Sequence, residues 1–412
     1  MNKLIEAIMV GSGRRGIEVF GKFALDYPKK LKFAAVIDPN TTNREFFANQ
    51  HQISKENCFS TVNHFLDSEP KIKIAINATP DREHYNTTKK LLENEFHVLL
   101  EKPIALNLNE CYELEKLAKE KKVHLIICHI LRYTPFFKKI KKLLGTEIGV
   151  IKNIKIVEDI GQEHFVHSYV RGNWNNSKVS GPISLTKTCH DFDIIIWLLN
   201  YRKCKQLNSY SPQLKYSPEN SPKQVPDYCL GGCWFKDNCP HYAPQVYLGP
   251  TAKRRRQRAV ATSLDTNEIL ENLKLGPYGR CVYRCDNNVP NTQITNMLFE
   301  DNITAQLFMV VDEEESTRKV EIVGSQGKIY GNLIKGKITL IKEDKEIVFD
   351  IKEKGDTHGG GDYALIENFL RSVSEELISK ENSTNITNSI QSHGLALKAE
   401  QSRKVFNQFT HH

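Results

Sequence analysis

Ile5-Glu6-Ala7-Ile8-Met9-Val10 runs directly into Gly11-Ser12-Gly13-Arg14-Arg15-Gly16, and Ile17 to Ala24 follow at helical spacing. The apolar run reads as a buried strand, and the three glycines as a tight turn that feeds a helix. The same alternation continues. Leu31–Ile37 reads as a second strand closed by Asp38-Pro39, and residues 41–50 as a helix. Ile72–Ala78 is a third strand, ending in Thr79-Pro80-Asp81, with a helix over residues 83–95. Phe96–Leu100 is a fourth, ending in Glu101-Lys102-Pro103. Residues 107–122 place Leu108, Cys111, Leu114, Leu117 and Ala118 on one helical face, and Leu125–His129 is a last strand. Strands and helices in alternation predict an α/β fold, a doubly wound parallel sheet over residues 1–130.

Beyond residue 130 the pattern changes. Residues 150–160, 303–311, 318–323, 328–334, 337–342 and 346–351 read as strands with few helices between them. They predict a second, α+β domain over residues 131–412 with a largely antiparallel sheet. Residues 205–290 lack periodicity and are rich in Pro, Cys, Gly and Tyr, so they read as a long elaborated insertion. Residues 362–374 and 394–407 read as closing helices, and the polar stretch 379–391 as a surface loop. There is no internal repeat.

The composition agrees with two to three soluble domains. The chain has 412 residues, 40% hydrophobic and 26% charged, with a net charge of +8. That charge is mild and argues against nucleic acid. No apolar run approaches the roughly 18 residues that would span a bilayer. The N-terminus leads straight into the glycine turn, leaving no room for a signal peptide. The expectation is a cytoplasmic protein whose ten cysteines are reduced.

Gly11, Gly13 and Gly16 have the spacing of a dinucleotide-binding turn. The first permits the tight turn, the second lets backbone approach a pyrophosphate, and the third lets helix and strand pack closely. Asp38 ends the second strand about 20 residues beyond Gly16, where an acceptor for a ribose hydroxyl stands. An acidic residue repels a 2′-phosphate, so NAD is favoured over NADP. Arg14 and Arg15 weaken that preference, since either can attract a phosphate; solvated loop charge is the plainer reading. Lys102 stands at the carboxyl end of a strand, the edge where ligands bind in such sheets. Pro103 behind it fixes the local backbone.

These motifs occur in one order, GSGRRG (11–16), VIDP (36–39), NATPDREH (77–84), EKP (101–103), RYTPFF (132–137) and CHDFD (189–193). With them the chain resembles the Gfo/Idh/MocA family of sugar and cyclitol oxidoreductases. It resembles most a Cys-rich subgroup, through RGNW (171–174), SGP (180–182), CPHYA (239–243), HGGGD (358–362) and SHGLALKAEQSR (392–403). The resemblance implies a Rossmann domain followed by an open, mostly antiparallel sheet domain, and a homodimer or homotetramer formed through the outer face of that sheet. It implies that Lys102 holds the reacting hydroxyl near the nicotinamide and that His190 is the catalytic histidine, with Asp193 its helix partner. It places Thr79, Pro80 and His84 beside the nicotinamide ribose, with Glu101 in the same cofactor site. One departure stands out. Many members carry Asp four residues before the histidine; here the residue is Thr186, followed by Lys187. A threonine is no carboxylate relay, and Lys187 adds positive charge that lowers the histidine's pKa and favours an anionic or electron-rich substrate.

The chemistry fits these residues. Oxidising a secondary alcohol needs a base for the hydroxyl proton, and histidine titrates near neutral pH. A lysine stabilises the developing alkoxide. Trp174 is a candidate to stack on the nicotinamide or on a sugar face, or simply to fill the core. Asp362, after three glycines, is a candidate to hold sugar hydroxyls or to cap the next helix. Cys229, Cys233, Cys239, Cys281 and Cys285 read as buried thiols ordering the insertion, with structural zinc as the alternative and no other metal expected. The basic run Lys253-Arg254-Arg255-Arg256 with Arg258 reads as a solvated loop or as an attractor of a uronate or sugar phosphate. The expected activity is NAD-dependent oxidation of a sugar, sugar acid or cyclitol. Two alternatives stay open: a glycosidase that uses retained NAD for transient C3 oxidation, and a non-catalytic NAD-sensing regulator. The sugar, the carbon oxidised and the direction are not written in these motifs.

Overall fold

The first strand, β1 (Ile5–Val10), lies where a six-stranded sheet reverses its strand order. It pairs on one side with β2 (Leu31–Ile37), which carries the short β3 (Cys58–Phe59), and on the other with β4 (Ile74–Asn77). β5 (His97–Leu100) and β6 (Leu125–Ile127) complete the order β3-β2-β1-β4-β5-β6, all parallel. The structure, a computed structural model, describes residues 4–212, 215–261, 264–312, 316–352, 359–375 and 384–409. The strands are buried on both faces, as parallel strands must be. Side chains alternate: Ala7 and Met9 of β1 join one cluster, and Ile8 and Val10 join the other. The expected parallel α/β domain is therefore present.

The second sheet has eight strands in the order β14-β13-β12-β11-β7-β10-β9-β8. In chain order they are β7 (Ile151–Asp159), β8 (Cys204–Tyr210), β9 (Thr292–Phe299), β10 (Thr304–Val310), β11 (Thr317–Gly324), β12 (Lys328–Asn332), β13 (Lys337–Lys342) and β14 (Lys345–Asp350). Only β7 and β10 pair in parallel. One face of this sheet, through Ile154, Ile156, Leu307, Val320, Ile322 and Leu340, packs on the helices Pro135–Thr146, Cys189–Leu198 and Ile386–Phe409.

Three sequence expectations change. Residues 204–210 belong to the sheet as an edge strand, so the insertion starts beyond Tyr210; the polar Cys204-Lys-Gln-Leu-Asn-Ser-Tyr210 hid a strand that buries little. β9 was also missed, although Gln293, Thr295, Met297 and Phe299 alternate as buried residues, two of them polar. The insertion, as elaborated as its length implies, has a core of its own. Its helices Ala243–Leu248, Arg254–Val260 and Thr266–Leu275 enclose a small core of Cys229, Ala243, Tyr247, Ile269 and Leu273. Residues 379–391 are not a surface loop where they are described: Thr384 is buried, its carbonyl accepts from Ile127 N at 2.8 Å, and helix Ile386–Phe409 begins there. Residues 379–383, and His358 of HGGGD, lie outside the described residues.

The C-terminal part of the chain crosses back. Helix Gly361–Glu375 places Leu365, Ile366, Phe369 and Leu370 in the same cluster as Met9, Phe20, Phe23 and Ile76. Ile386 and Ile390 join the opposite face with Leu100 and Ile127. The first sheet thus depends on residues more than two hundred positions downstream. Truncating Phe369 to Ala is expected to cost about 3–5 kcal/mol, read by chemical denaturation, and to lower amide-exchange protection in β1 and β2. Unchanged protection there would contradict this docking.

Candidate active site

Ligands bind in such sheets at the carboxyl edge where strand order reverses, and the glycine turn stands there between β1 and β4. Gly11 has φ +85°, and a side-chain carbon on it would meet Thr79 N at 2.6 Å. One on Gly16 would meet Gly11 O at 2.5 Å, whereas Gly13 faces open space. The turn is therefore tight against protein at Gly11 and Gly16 and open at Gly13, the residue where a pyrophosphate must approach. Ile17 N donates to Gly13 O at 2.9 Å, so the helix starts at once. The Asp38 carboxylate, at the end of β2, accepts from Ser12 N (2.7 Å), Ser12 Oγ (3.1 Å) and Asn40 N (2.8 Å). It braces the turn from the place expected of a ribose acceptor.

Arg15 and Arg14 part company. Arg15 points inward, with Nε 2.7 Å from Glu101 and a terminal nitrogen 2.8 Å from Asp362. Burial opposes its charge, but the two carboxylates outweigh that and raise its pKa. Asp362, 2% exposed, is thus tied to Arg15 beside Glu101. Arg14 is exposed.

The loop after β5 carries Lys102, and the Lys102–Pro103 bond is cis. The Lys102 ammonium crosses to the second domain and donates to the carbonyl of Thr186 at 2.6 Å. It also lies 5.9 Å from the Trp174 ring, whose Nε1 donates to Asp81 at 2.8 Å. Tyr169 stacks on the same indole, with ring centroids 5.9 Å apart at 29°. His84 is fully buried, its ring nitrogens 2.5 Å from Pro103 O and 2.8 Å from Thr79 O. It clamps the loops after β4 and β5 together. Thr79 is held by Asn77 at 2.8 Å, and Pro80 leads into the short turn Asp81–Glu83.

His190 sits in the first turn of helix Cys189–Leu198, 8% exposed. Thr186, 1% exposed, turns its hydroxyl to Pro182 O (3.2 Å) and offers Lys102 only its carbonyl. The carboxylates flanking His190 are engaged elsewhere. Asp191 accepts from Arg318 at 2.8 Å, and Arg318 also reaches Glu158 at 2.9 Å. Asp193 is held by Arg132 at 2.6 and 2.5 Å, so it orients the Arg132 loop. Lys187 pairs with Glu158 at 3.1 Å; burial pushes the Glu158 carboxyl up, opposed by Arg318 and Lys187.

Sequence reasoning missed His129. It follows β6 on the same edge as Lys102, and that placement was its available signal. Its ring lies 6.0 Å from that of His190 at 84°, and its Nε2 3.7 Å from Asp193. Neither ring nitrogen of His129 has a hydrogen-bond partner among the described residues. Burial lowers its pKa to about 4, and that of His393 behind it to about 3.

In the insertion, Cys229, Cys233, Cys239 and Cys281 line one small cavity with His241. Arg171 occupies its wall, donating to His241 O (2.8 Å), Arg280 O (2.7 Å) and Cys229 Sγ (3.4 Å). Burial pushes Cys285 up to about 11 and also raises Cys239 and Cys281, as for neutral thiols. Among the described residues no three His, Cys, Asp or Glu side chains are grouped to hold a metal ion. The thiols here pack around a guanidinium, so the zinc alternative is not carried further.

Residues 5–129 match the family model described as oxidoreductase family, NAD-binding Rossmann fold. Those residues are a nucleotide-binding domain of the Gfo/Idh/MocA oxidoreductase family. The chain is 22% identical to the oxidoreductase-like protein YteT of Bacillus subtilis (strain 168), across 73% of this chain and 72% of that one. It is 27% identical to the 2,7-anhydro-N-acetylneuraminate hydratase of Escherichia coli (strain K12), across 46% of this chain and 50% of the relative. Its fold matches that of an inositol dehydrogenase homolog complexed with NAD+ from Azotobacter vinelandii, with TM-score 0.70, 13% identity, and 98% and 96% of the two chains covered. Among the described residues no helix is long and apolar enough to cross a membrane.

The buried histidines set a pH dependence. An unfolded histidine titrates near 6.5, whereas His129 and His393 stay neutral in the fold until about 4 and about 3. The unfolded chain therefore binds more protons between those values, and stability rises with pH there. The contribution is full above pH ~6.5 and is lost as pH falls towards 4. Melting temperature is expected to drop over that interval, and less steeply in a His129→Gln variant; identical profiles would contradict the burial.

Proposed function

We propose that this protein is an NAD-dependent dehydrogenase that removes hydride from a secondary hydroxyl of a sugar, sugar acid or cyclitol. The observation that carries this reading is the Lys102 ammonium, held across the cleft on Thr186 O four residues before His190. A residue of the nucleotide domain and a segment of the second domain thereby meet, with the Trp174 ring beside them.

The residues present fit the cofactor. Gly13 leaves space open at the start of a helix, and Gly11 and Gly16 leave none for side chains. Gly11, Gly13, Arg14 and Gly16 would face the pyrophosphate, with Arg15 and Glu101 supporting the turn from behind. Asp38 would accept from the adenosine ribose, which favours NAD. Thr79, Pro80, His84 and Trp174 would shape the nicotinamide end. Bound NAD+ supplies the hydride acceptor. Lys102 exchanges its carbonyl partner for the substrate hydroxyl oxygen and stabilises the negative charge that develops there. His190 takes the hydroxyl proton as hydride leaves carbon, giving a ketone, NADH and one proton. Without an aspartate at position 186, proton transfer beyond His190 takes another route, and His129 is the adjoining imidazole. Lys187, paired with Glu158, and Asp362, paired with Arg15, are further substrate-binding candidates. The assembly expected for this chemistry is a homodimer or homotetramer in the cytoplasm.

Similarity to a relative named as a hydratase favours a second reading, in which oxidation at C3 is transient and elimination and water addition follow with no net NADH. Lys102→Met and His190→Asn are expected to lower NADH formation on a sugar and cyclitol panel by about 10²-fold or more while NAD binding persists. Wild-type turnover of nitrophenyl glycosides without NADH would replace the dehydrogenase reading by the second one. Undiminished NADH formation in both variants would refute the assigned pair.

A further inference from the structure

His129 is 1% exposed, yet neither of its ring nitrogens has a hydrogen-bond partner among the described residues. A buried polar group left unbonded costs stability, and an apolar side chain of similar shape would not. Packing therefore does not account for a histidine here. The chain brings it to the ligand-binding edge at the end of β6, where His129 N donates to Ile127 O at 2.7 Å and the short turn Ile130–Tyr133 follows.

Charged and titratable groups from four elements face the ring. Helix Cys189–Leu198 supplies His190, its ring 6.0 Å away at 84°, and Asp193, whose Oδ1 lies 3.7 Å from His129 Nε2. Arg132 comes from the segment after His129, Glu101 and Lys102 from the loop after β5, and His393 from helix Ile386–Phe409. Ser392 and His393 open the stretch SHGLALKAEQSR, and Ser392 Oγ donates to Asp193 Oδ1 at 3.3 Å. Arg132 gives Asp193 two further donors. A carboxylate has about four acceptor positions, so one is left for His129 Nε2. A proton on Nε2 leaves Nδ1 as the basic nitrogen, which is how a carboxylate sets the tautomer of an imidazole base. Glu101, Asp191 and Glu158 are engaged elsewhere, by Arg15, by Arg318, and by Arg318 with Lys187. At position 186 the side chain is a hydroxyl turned to Pro182 O.

We propose that His129, oriented by Asp193, is the second imidazole of a histidine pair that takes the hydroxyl proton on from His190, in place of the aspartate absent at Thr186. The proposal rests on the dehydrogenase reading and supplies its proton path. The substrate O–H bond breaks and its proton joins one ring nitrogen of His190, while hydride leaves carbon for NAD+. The proton on the other nitrogen of His190 passes to Nδ1 of His129 after a rotation about χ2, which a ring without hydrogen bonds is free to make. His190 is then neutral, and the imidazolium of His129 lies beside the Asp193 carboxylate. Once the ketone leaves, the proton returns through His190 to the cleft, so one proton is released per NADH. His129 touches no substrate in this scheme; it is a positioning residue that acts through His190. Burial keeps it neutral at rest, so each turnover starts with Nδ1 able to accept.

Nitrogen-15 NMR of the imidazoles in the NAD-loaded protein, assigned with His129→Gln and His190→Asn, reads the pair without turnover. The expected result is a neutral His129 with its proton on Nε2 between about pH 5 and 8, and shifts that follow the titration of His190 and cease to do so in His190→Asn. A proton on Nδ1, or His129 shifts indifferent to His190, overturns the proposal. NADH formation from glucose, glucuronate and myo-inositol supplies the kinetic readout. His129→Leu and His129→Ala are expected to lower kcat by about 10²-fold, with KM and NAD affinity at wild-type values. Added imidazole is expected to restore part of the rate in His129→Ala and none in His129→Leu, where the site is filled. His129→Leu is expected to melt no lower than wild type, since it removes two unbonded buried nitrogens. Wild-type kcat in both variants overturns the proposal. Absence of NADH with all three probes, in protein whose rings show the coupled titration, counts against the dehydrogenase reading and not against the pair.

Discussion

Arg15 donates to Glu101 and to Asp362, and through those two contacts the glycine turn, the end of β5 and the helix Gly361–Glu375 become one body. A guanidinium taken out of water is unfavourable unless its charge and donors are met. Here two carboxylates meet them, and losing either would leave the partly buried guanidinium with a single partner. The bridge lies directly behind Lys102. It fixes where the Glu101-Lys102-Pro103 loop leaves the sheet, and so the direction from which the Lys102 ammonium enters the cleft.

On the far side a second set of buried charges does the same for His190. Arg132 holds Asp193, and Arg318 holds Asp191 and Glu158, which in turn holds Lys187. The helix carrying His190 is pinned by ionic contacts on both sides of that residue. The flanking aspartates are therefore structural partners of arginines. In their place the ring beside His190 is the neutral imidazole of His129. A low-dielectric surround of this kind strengthens every charge interaction made by a ligand.

Much of the first domain was legible because parallel strands buried on both faces are near-continuous apolar runs, punctuated by glycine and proline. Lys102 and Asp38 were legible for the same reason: strand ends are visible, and their edge is where ligands bind. β8 and β9 were not, since an edge strand buries little and β9 buries polar residues. His129 carries no motif, and only the packing of helix Cys189–Leu198 against the loop after β6 makes it a neighbour of His190. Asp193, expected beside His190 from the family resemblance, and Asp362, read as a sugar-binding or capping residue, each pair with a cation that only the fold brings to them. Arg132 and Arg15 were those cations.

The sequence by itself determined the parallel α/β sheet, the glycine turn with Asp38, and a lysine at the ligand-binding edge. Each is a local consequence of period, turn chemistry and chain direction. Only the tertiary structure decided that Lys102 reaches Thr186, that the insertion returns to place Arg258 against Glu18, and that the C-terminal part of the chain completes the core of the first sheet. Those outcomes depend on which surfaces bury together across hundreds of residues, and long-range packing leaves no periodic mark in the chain.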